Sequence, residues 1–194
     1  MRHNLSEITA IIRDRRTIYP EFFSDRKVHH EQIELLLNNA IWAPTHGMTQ
    51  PWRFKVYMGE SRSRVAEFLS KTYVQWAGED VNEMKAERMR VRPMKASAVM
   101  VVGITPDPKE RIPEIEEMGA AACAIQNMHL TATAAGLGFF WSTPKFIYTG
   151  ECNAFFGFEE KDSILGLIYI GYPEGEWPKG QRRPIEYLTE WHDD

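Results

Sequence analysis

The sequence predicts a three-layer α+β domain with strands inside and helices outside. Two near-continuous apolar runs, at 98–104 and 164–170, have the pattern of strands buried on both faces. Residues 30–42 place Ile33, Leu36, Leu37, Ala40 and Ile41 at i, i+3, i+4, i+7 and i+8, which is one apolar helix face. The stretch 118–144 carries no formal charge and is rich in alanine, so it reads as a helix covered on all sides.

In chain order, Asn4-Leu5-Ser6-Glu7 resembles a capping box and opens a helix to about Asp14. The second helix, at 30–42, is stopped by Pro44. The pair His29-His30 falls at its entry, which suits a helix start better than a metal site. Phe54, Val56 and Met58 alternate with Arg53, Lys55 and Tyr57, predicting a strand with one covered face. Residues 61–92 are helix-rich and polar. The first buried strand follows, and then Pro113 with Glu114, Glu116 and Glu117 marks the start of the uncharged helix. Gly136 and Gly138 mark its end. Gln126, Asn127, His129, Thr131 and Thr133 at its centre argue against a membrane span. A helix with so little charge is hard to surround in a chain of 194 residues, so part of its cover is expected from a second subunit.

Composition narrows the function. With 23 Lys+Arg against 27 Asp+Glu, the net charge of −4 speaks against a nucleic-acid footprint. Cys123 and Cys152 fit no metal or disulfide framework, and no Cys/His/carboxylate set has metal spacing. The short apolar run 8–12 leads straight into Arg13-Asp14-Arg15-Arg16 and is not a targeting signal, so a cytoplasmic protein is expected. One domain over 1–194 is expected, with 59–92 as a helical excursion.

Three clusters are able to carry chemistry. Arg15-Arg16-Thr17 offers two guanidinium forks and a hydroxyl to a phosphate, or else forms a solvated helix end whose cations complement the dipole. Residues 42–54 form a loop dense in donors, acceptors and aromatic surface, held between a helix and a strand. Residues 136–144 turn a buried helix into an extended segment, where glycines permit either close ligand approach or a tight core turn.

Taken in order, Arg15-Arg16-Thr17, Ala43 through Phe54, Gly136 through Trp141, Gly166 through Gly171 and Arg182-Arg183-Pro184 resemble the motifs of the nitroreductase family of FMN-dependent NAD(P)H oxidoreductases. The resemblance covers most of the chain and is nearer to the compact members. It implies a nitroreductase-like fold with a mostly antiparallel central sheet flanked by helices, and a homodimer with FMN at the subunit interface. By that analogy Arg15, Arg16 and Thr17 bind the phosphate and ribityl side of FMN, joined by Arg182 or Arg183 of the same chain. Pro44, Thr45, His46 and Gln50 would reach the partner's flavin, Trp141, Ser142 and Thr143 would lie along its ring, and Arg92 would face its pyrimidine edge.

The implied chemistry is ping-pong: hydride passes from NAD(P)H through flavin N5 to a nitroaromatic, a quinone or a similar electron-poor substrate. No catalytic side chain and no metal are implied. The excursion at 61–92, with Tyr73, Trp76, Met84 and Met89, would cover the pocket. Where many members carry Ser-Ser-x-Asn before Gln-Pro-Trp, this chain has Thr45-His46-Gly47-Met48-Thr49, which alters the loop that approaches the flavin. Two alternatives share the same arginines: a non-catalytic FMN-binding or storage protein, and a same-fold flavoenzyme that dehalogenates, dehydrogenates or fragments its substrate.

Overall fold

Asn4 caps the first helix by accepting from the backbone N–H groups of Ser6 (3.1 Å) and Glu7 (3.4 Å), which opens α1, Leu5–Asp14. The computed structural model describes residues 3–193; the domain expected over 1–194 also takes in residues 1, 2 and 194, which lie outside the described residues. The chain continues through α2 (His30–Ala40), β1 (Trp52–Met58), α3 (Ser61–Ala77), α4 (Glu83–Lys95), β2 (Ala98–Ile104), α5 (Glu114–Ala134), β3 (Gly138–Ser142), α6 (Gly150–Phe156) and β4 (Ser163–Gly171).

The strands form one sheet in the order β1-β2-β4-β3, and every pair is antiparallel. Side-chain alternation splits β2 between two cores: Ala98, Met100, Val102 and Ile104 face the layer of α2 and α5, while Val99 and Val101 face that of α3, α4 and α6. Leu36 of α2 and Met128 of α5 are wholly buried in the first core, where truncation to alanine costs about 2–5 kcal/mol. In β4 the register slips: Val102 pairs with Gly166 and Gly103 with Ile164, so Leu165 is the extra residue of a β-bulge.

Three expectations change in detail, and the cover of the uncharged helix is incomplete within one chain. The second helix ends at Ala40 rather than 42, and Trp42 projects from the turn at 83% exposure. β1 is an edge strand beginning at Trp52; Phe54 and Met58 pack on one core and Tyr57 on the other, so neither face is fully covered. The polar helix runs past Arg92, with Pro93 inside its last turn, although proline normally ends a helix. Arg62 of α3 caps that last turn: its Nη1 donates to the carbonyls of Met94 (3.1 Å) and Ala96, satisfying the end of α4 with a charged group. Burial lowers the Arg62 pKa from its ordinary value. Finally, α5 is covered on one side only. Ala120, Ala121, Ala124, Ile125 and Met128 are buried, whereas Ile115 (73% exposed), Gly119, Cys123 and Gln126 face outward without a charge among them.

After β4 the chain is irregular apart from a short helical turn, Ile185–Tyr187, and it leaves Tyr187 and Trp191 exposed. No helix among the described residues is long and apolar enough to cross a membrane.

Candidate functional site

Beyond α1 the chain turns through Arg15, Arg16 and Thr17, and the N–H of Ile18 then donates to the carbonyl of Phe139 on β3 (3.1 Å). His129 of α5 fixes the turn. Its Nε2 lies 2.8 Å from the carbonyl oxygen of Arg16, and its Nδ1 lies 3.4 Å from Nη1 of Arg15. A carbonyl only accepts, so Nε2 carries the proton and Nδ1 accepts from Arg15. His129 is 7% exposed and stacks on Phe139 with ring centroids 4.4 Å apart. Burial, reinforced by the charge of Arg15, pushes its pKa down to about 4 against the bond to Arg16, and the ring is neutral near pH 7.

The far end of the chain returns to this turn. Trp177 Nε1 donates to the carbonyl of Asp14 (2.6 Å), and the N–H of Glu174 donates to that of Phe22 (2.8 Å). The Arg16 guanidinium packs directly against Gly180, so a side chain there would displace it. Arg182 stands close enough to Arg15 that burial first, and then repulsion from Arg182 and Arg16, lowers the Arg15 pKa. No carboxylate lies within 4 Å of Arg15, Arg16 or Arg182 among the described residues. Arg16 donates from Nη1 to the carbonyls of Arg13 and Arg15, but its Nε is buried without a partner. Clustered guanidinium groups with an unfilled buried donor make a site for a multiply charged anion such as a phosphate. Arg183 is exposed one residue further on, and Thr17 lines a cavity of about 380 Å³ with Ile18, Phe22 and Pro173.

Trp141, Ser142 and Thr143 leave the end of β3 along a second cavity, of about 570 Å³. The bulge in β4 seats Trp141, whose Nε1 donates to the carbonyl of Leu165 (3.2 Å). Gly166 has φ 146°, and a Cβ there would lie 2.6 Å from the indole nitrogen, so glycine is required for this contact. Arg92 lines the same cavity. Its Nε pairs with Glu21 at 2.9 Å and its guanidinium lies 5.0 Å from the centroid of Phe140, so a neighbouring carboxylate and an aromatic face already hold its charge.

The loop expected to approach a flavin sits elsewhere on the protomer. Gly47 (φ 58°), Met48 (57°) and Gln50 (46°) hold left-handed conformations, two of them without glycine's freedom. Thr45 Oγ1 accepts from the N–H of Gln50 (3.3 Å) and meets Thr49 Oγ1 (3.1 Å), while His46 Nδ1 meets Glu116 Oε2 at 2.6 Å. Pro44, His46 and Gln50 are exposed. Because His46 contacts Glu116 and Arg15 contacts His129, the two regions rest on α5 thirteen residues apart, about 20 Å along its axis. The structure therefore brings Arg15, Arg16 and Arg182 together, and it does not bring Pro44, Thr45, His46 or Gln50 to them within one chain.

Sequence reasoning missed His129, the bulge at Leu165 and the cavity face of α4. A single imidazole inside an uncharged, small-residue helix was the available signal for the first, and the Gly166 between two apolar residues for the second. Among the described residues no group of three or more His, Cys, Asp and Glu side chains could hold a metal ion.

Comparison with known proteins gives this arrangement a context. Residues 12–172 match the model of the family described as the Nitroreductase family. The chain is 30% identical over 144 residues to the "Putative NAD(P)H nitroreductase YdjA" of Escherichia coli, covering 74% of this chain and 77% of that protein. Among solved structures, a nitroreductase-like family protein from Bacillus cereus superposes with a TM-score of 0.82 at 28% identity over the whole of both chains. A protein from Desulfovibrio desulfuricans, described as a "putative nitroreductase in complex with FMN", superposes with a TM-score of 0.75 at 25% identity over 99% of each chain.

Proposed function

The chain belongs to the nitroreductase family, and on that premise we propose that it holds FMN and uses it to pass hydride from NAD(P)H to an electron-poor acceptor, such as a nitroaromatic or a quinone, in a ping-pong cycle. One observation carries the proposal: Arg15, Arg16 and Arg182 converge without a carboxylate, and the buried Nε of Arg16 lacks a partner. A phosphate dianion supplies both the missing charge and the missing acceptor. Thr17 would add a hydroxyl donor at the same turn, and Arg183 is the neighbouring reserve cation. His129 contributes by holding the Arg15–Arg16 turn from below while staying neutral, so it adds no titrating charge near pH 7. Trp141, Ser142 and Thr143 form the wall against which the ring would lie. The Trp141 bond to Leu165 keeps that wall in place. No side chain of the chain is assigned as nucleophile or general acid.

The site is finished by a second copy of the chain. Two α5 helices crossing antiparallel about a two-fold axis at Ala122 and Cys123, midway between Glu116 and His129, would set Pro44, Thr45, His46 and Gln50 of one protomer against the arginine cluster of the other. The outward face of α5 supports this crossing, since Gly119, Ala122 and Cys123 are small and uncharged and allow close helix approach. The test is spectroscopic. The purified protein should be yellow and dimeric, and NADH or NADPH added without oxygen should bleach the flavin band. A colourless protein that takes up no FMN and stays monomeric would refute the proposal.

A further inference from the structure

Residues 85, 88, 89 and 92 of α4 stand at i, i+3, i+4 and i+7, one face of the helix, and all four line the 570 Å³ cavity beside Trp141. Three of them are cations: Lys85, Arg88 and Arg92. Lys145 adds a fourth from the opposite wall, and no Asp or Glu lines the cavity. Only Arg92 is neutralised, by Glu21; Lys85, Arg88 and Lys145 have no carboxylate within 4 Å among the described residues. Much of the remaining wall is aromatic. Tyr73 and Trp76 rise from α3, Phe140 and Trp141 come from β3, and Phe146 closes the floor, with Trp76 and Tyr73 both tilted against its ring. In a chain whose total charge is −4, this gathering of unpaired cations around aromatic faces is a local feature that average composition does not produce.

We propose that this cavity binds planar, anionic molecules, namely aromatic or quinonoid compounds bearing a carboxylate, sulfonate or phosphate, and prefers them over neutral analogues of the same size. Aromatic walls take the ring by stacking and give little discrimination between rings. The unpaired cations take the anionic substituent, Arg88 by a bidentate fork and Lys85 and Lys145 as point charges. The volume falls within the range of small-molecule sites, and it includes the space along Trp141 to Thr143 where the flavin ring would lie, so the anionic ring would bind over the remaining part, beside α4. Identification of the bound molecule as the electron acceptor rests on the FMN proposal, which sets the reacting ring against Trp141 to Thr143; the binding preference itself does not.

The probes are 4-nitrobenzoate and its neutral analogue 4-nitrobenzyl alcohol, titrated into the whole protein with tryptophan fluorescence as the readout, since Trp76 and Trp141 line the cavity. The acid should bind about tenfold more tightly at low salt, and the ratio should fall towards one as salt approaches about 0.5 M, where the screening length shrinks to a few ångströms. Lys85→Glu combined with Arg88→Glu should reverse the order of the two probes. Lys85→Gln with Arg88→Gln and Lys145→Gln, which keeps polarity, should bring the ratio close to one and guards against misfolding of the charge-reversed protein. Equal binding of the two probes to the flavin-loaded protein would overturn the inference, and so would an acid preference indifferent to both variants. A preference for NADPH over NADH with none between the nitro compounds would also overturn it, moving the anion to the donor. A protein that discriminates between the probes yet takes up no FMN would support the cavity and refute the flavin reading instead.

Discussion

At the C-terminal half of α5, neutral His129 locks the Arg15–Arg16 turn beneath the returning C-terminal segment, so the cations are partly buried and their geometry is fixed by bonds within one chain. At the N-terminal half, Glu116 holds His46 in an exposed loop with three successive or near-successive left-handed residues. The first region is closed and short of an anion. The second is strained and largely exposed. Backbone strain in an exposed loop is kept in natural proteins where surrounding or partner structure uses it. In the dimer proposed above, the first region would be the half-site a protomer builds alone and the second the half-site it lends.

The largest effect should come from parting the two. Cys123→Arg places a charge at the middle of the outward face of α5, where it disturbs no core contact of the single chain. Sedimentation should show a monomer, and flavin retention should be lost altogether. A dimer with full flavin content would break the account of two complementary ends.

The closed end is also open to attack by pH. His129 has a folded-state pKa of about 4, below the 6.5 of an ordinary histidine, so the unfolded chain binds the proton more readily. Its contribution to stability is whole above about pH 6.5 and is lost as pH falls towards 4, a change on the order of 3 kcal/mol. Urea unfolding of the flavin-free protein across that range should show the loss, and His129→Leu should flatten the slope relative to the parent. Parallel slopes would mean that the ring is not held neutral by its site. Next in size, Arg15→Ala removes one charge-assisted contact of about 1.5–3 kcal/mol, so FMN should bind roughly 10- to 150-fold more weakly by fluorescence titration. Arg182→Ala should act alike. Unchanged occupancy in both variants would remove the phosphate from this cluster.

The same contrast explains what the sequence could say. Periodicity and apolar runs reveal α2, β2 and β4 because their burial is decided by their own residues and their neighbours in one chain. Arg15, Arg16 and Arg182 could be joined only through the family resemblance, since 166 positions separate Arg16 from Arg182 and no local pattern links them. The bulge at Leu165 is a register shift, visible only once β2 and β4 are paired. Pro93 predicts a helix end, yet the helix runs on to Lys95, where Arg62, thirty-one residues before Pro93, caps the terminal carbonyls. The stripe of Lys85, Arg88 and Arg92 was present in the sequence at helical spacing, but such a stripe also describes a solvated face, and only the aromatic wall opposite gives it a purpose.

The smallest expected effect separates strain from use at the open end. Met48 is 74% exposed with φ 57°, so its side chain gains little from burial while its backbone sits where a β-carbon is unwelcome. Met48→Gly removes the clash, and the larger entropy of glycine in the unfolded chain returns part of that gain, leaving a net stabilisation of about 0.5–1 kcal/mol. For a chain of this size that corresponds to roughly 1–4 °C in the thermal midpoint of the flavin-free protein. If the loop serves the partner's site, the same substitution should weaken FMN binding, because the exposed side chain then has a surface to cover. A higher midpoint with unchanged flavin affinity would show that the conformation of the loop, and not its methionine, is what the second protomer receives. A lower midpoint would show that Met48 is held in place by contacts the single chain already makes, and the open end would lose its claim to be the lent half.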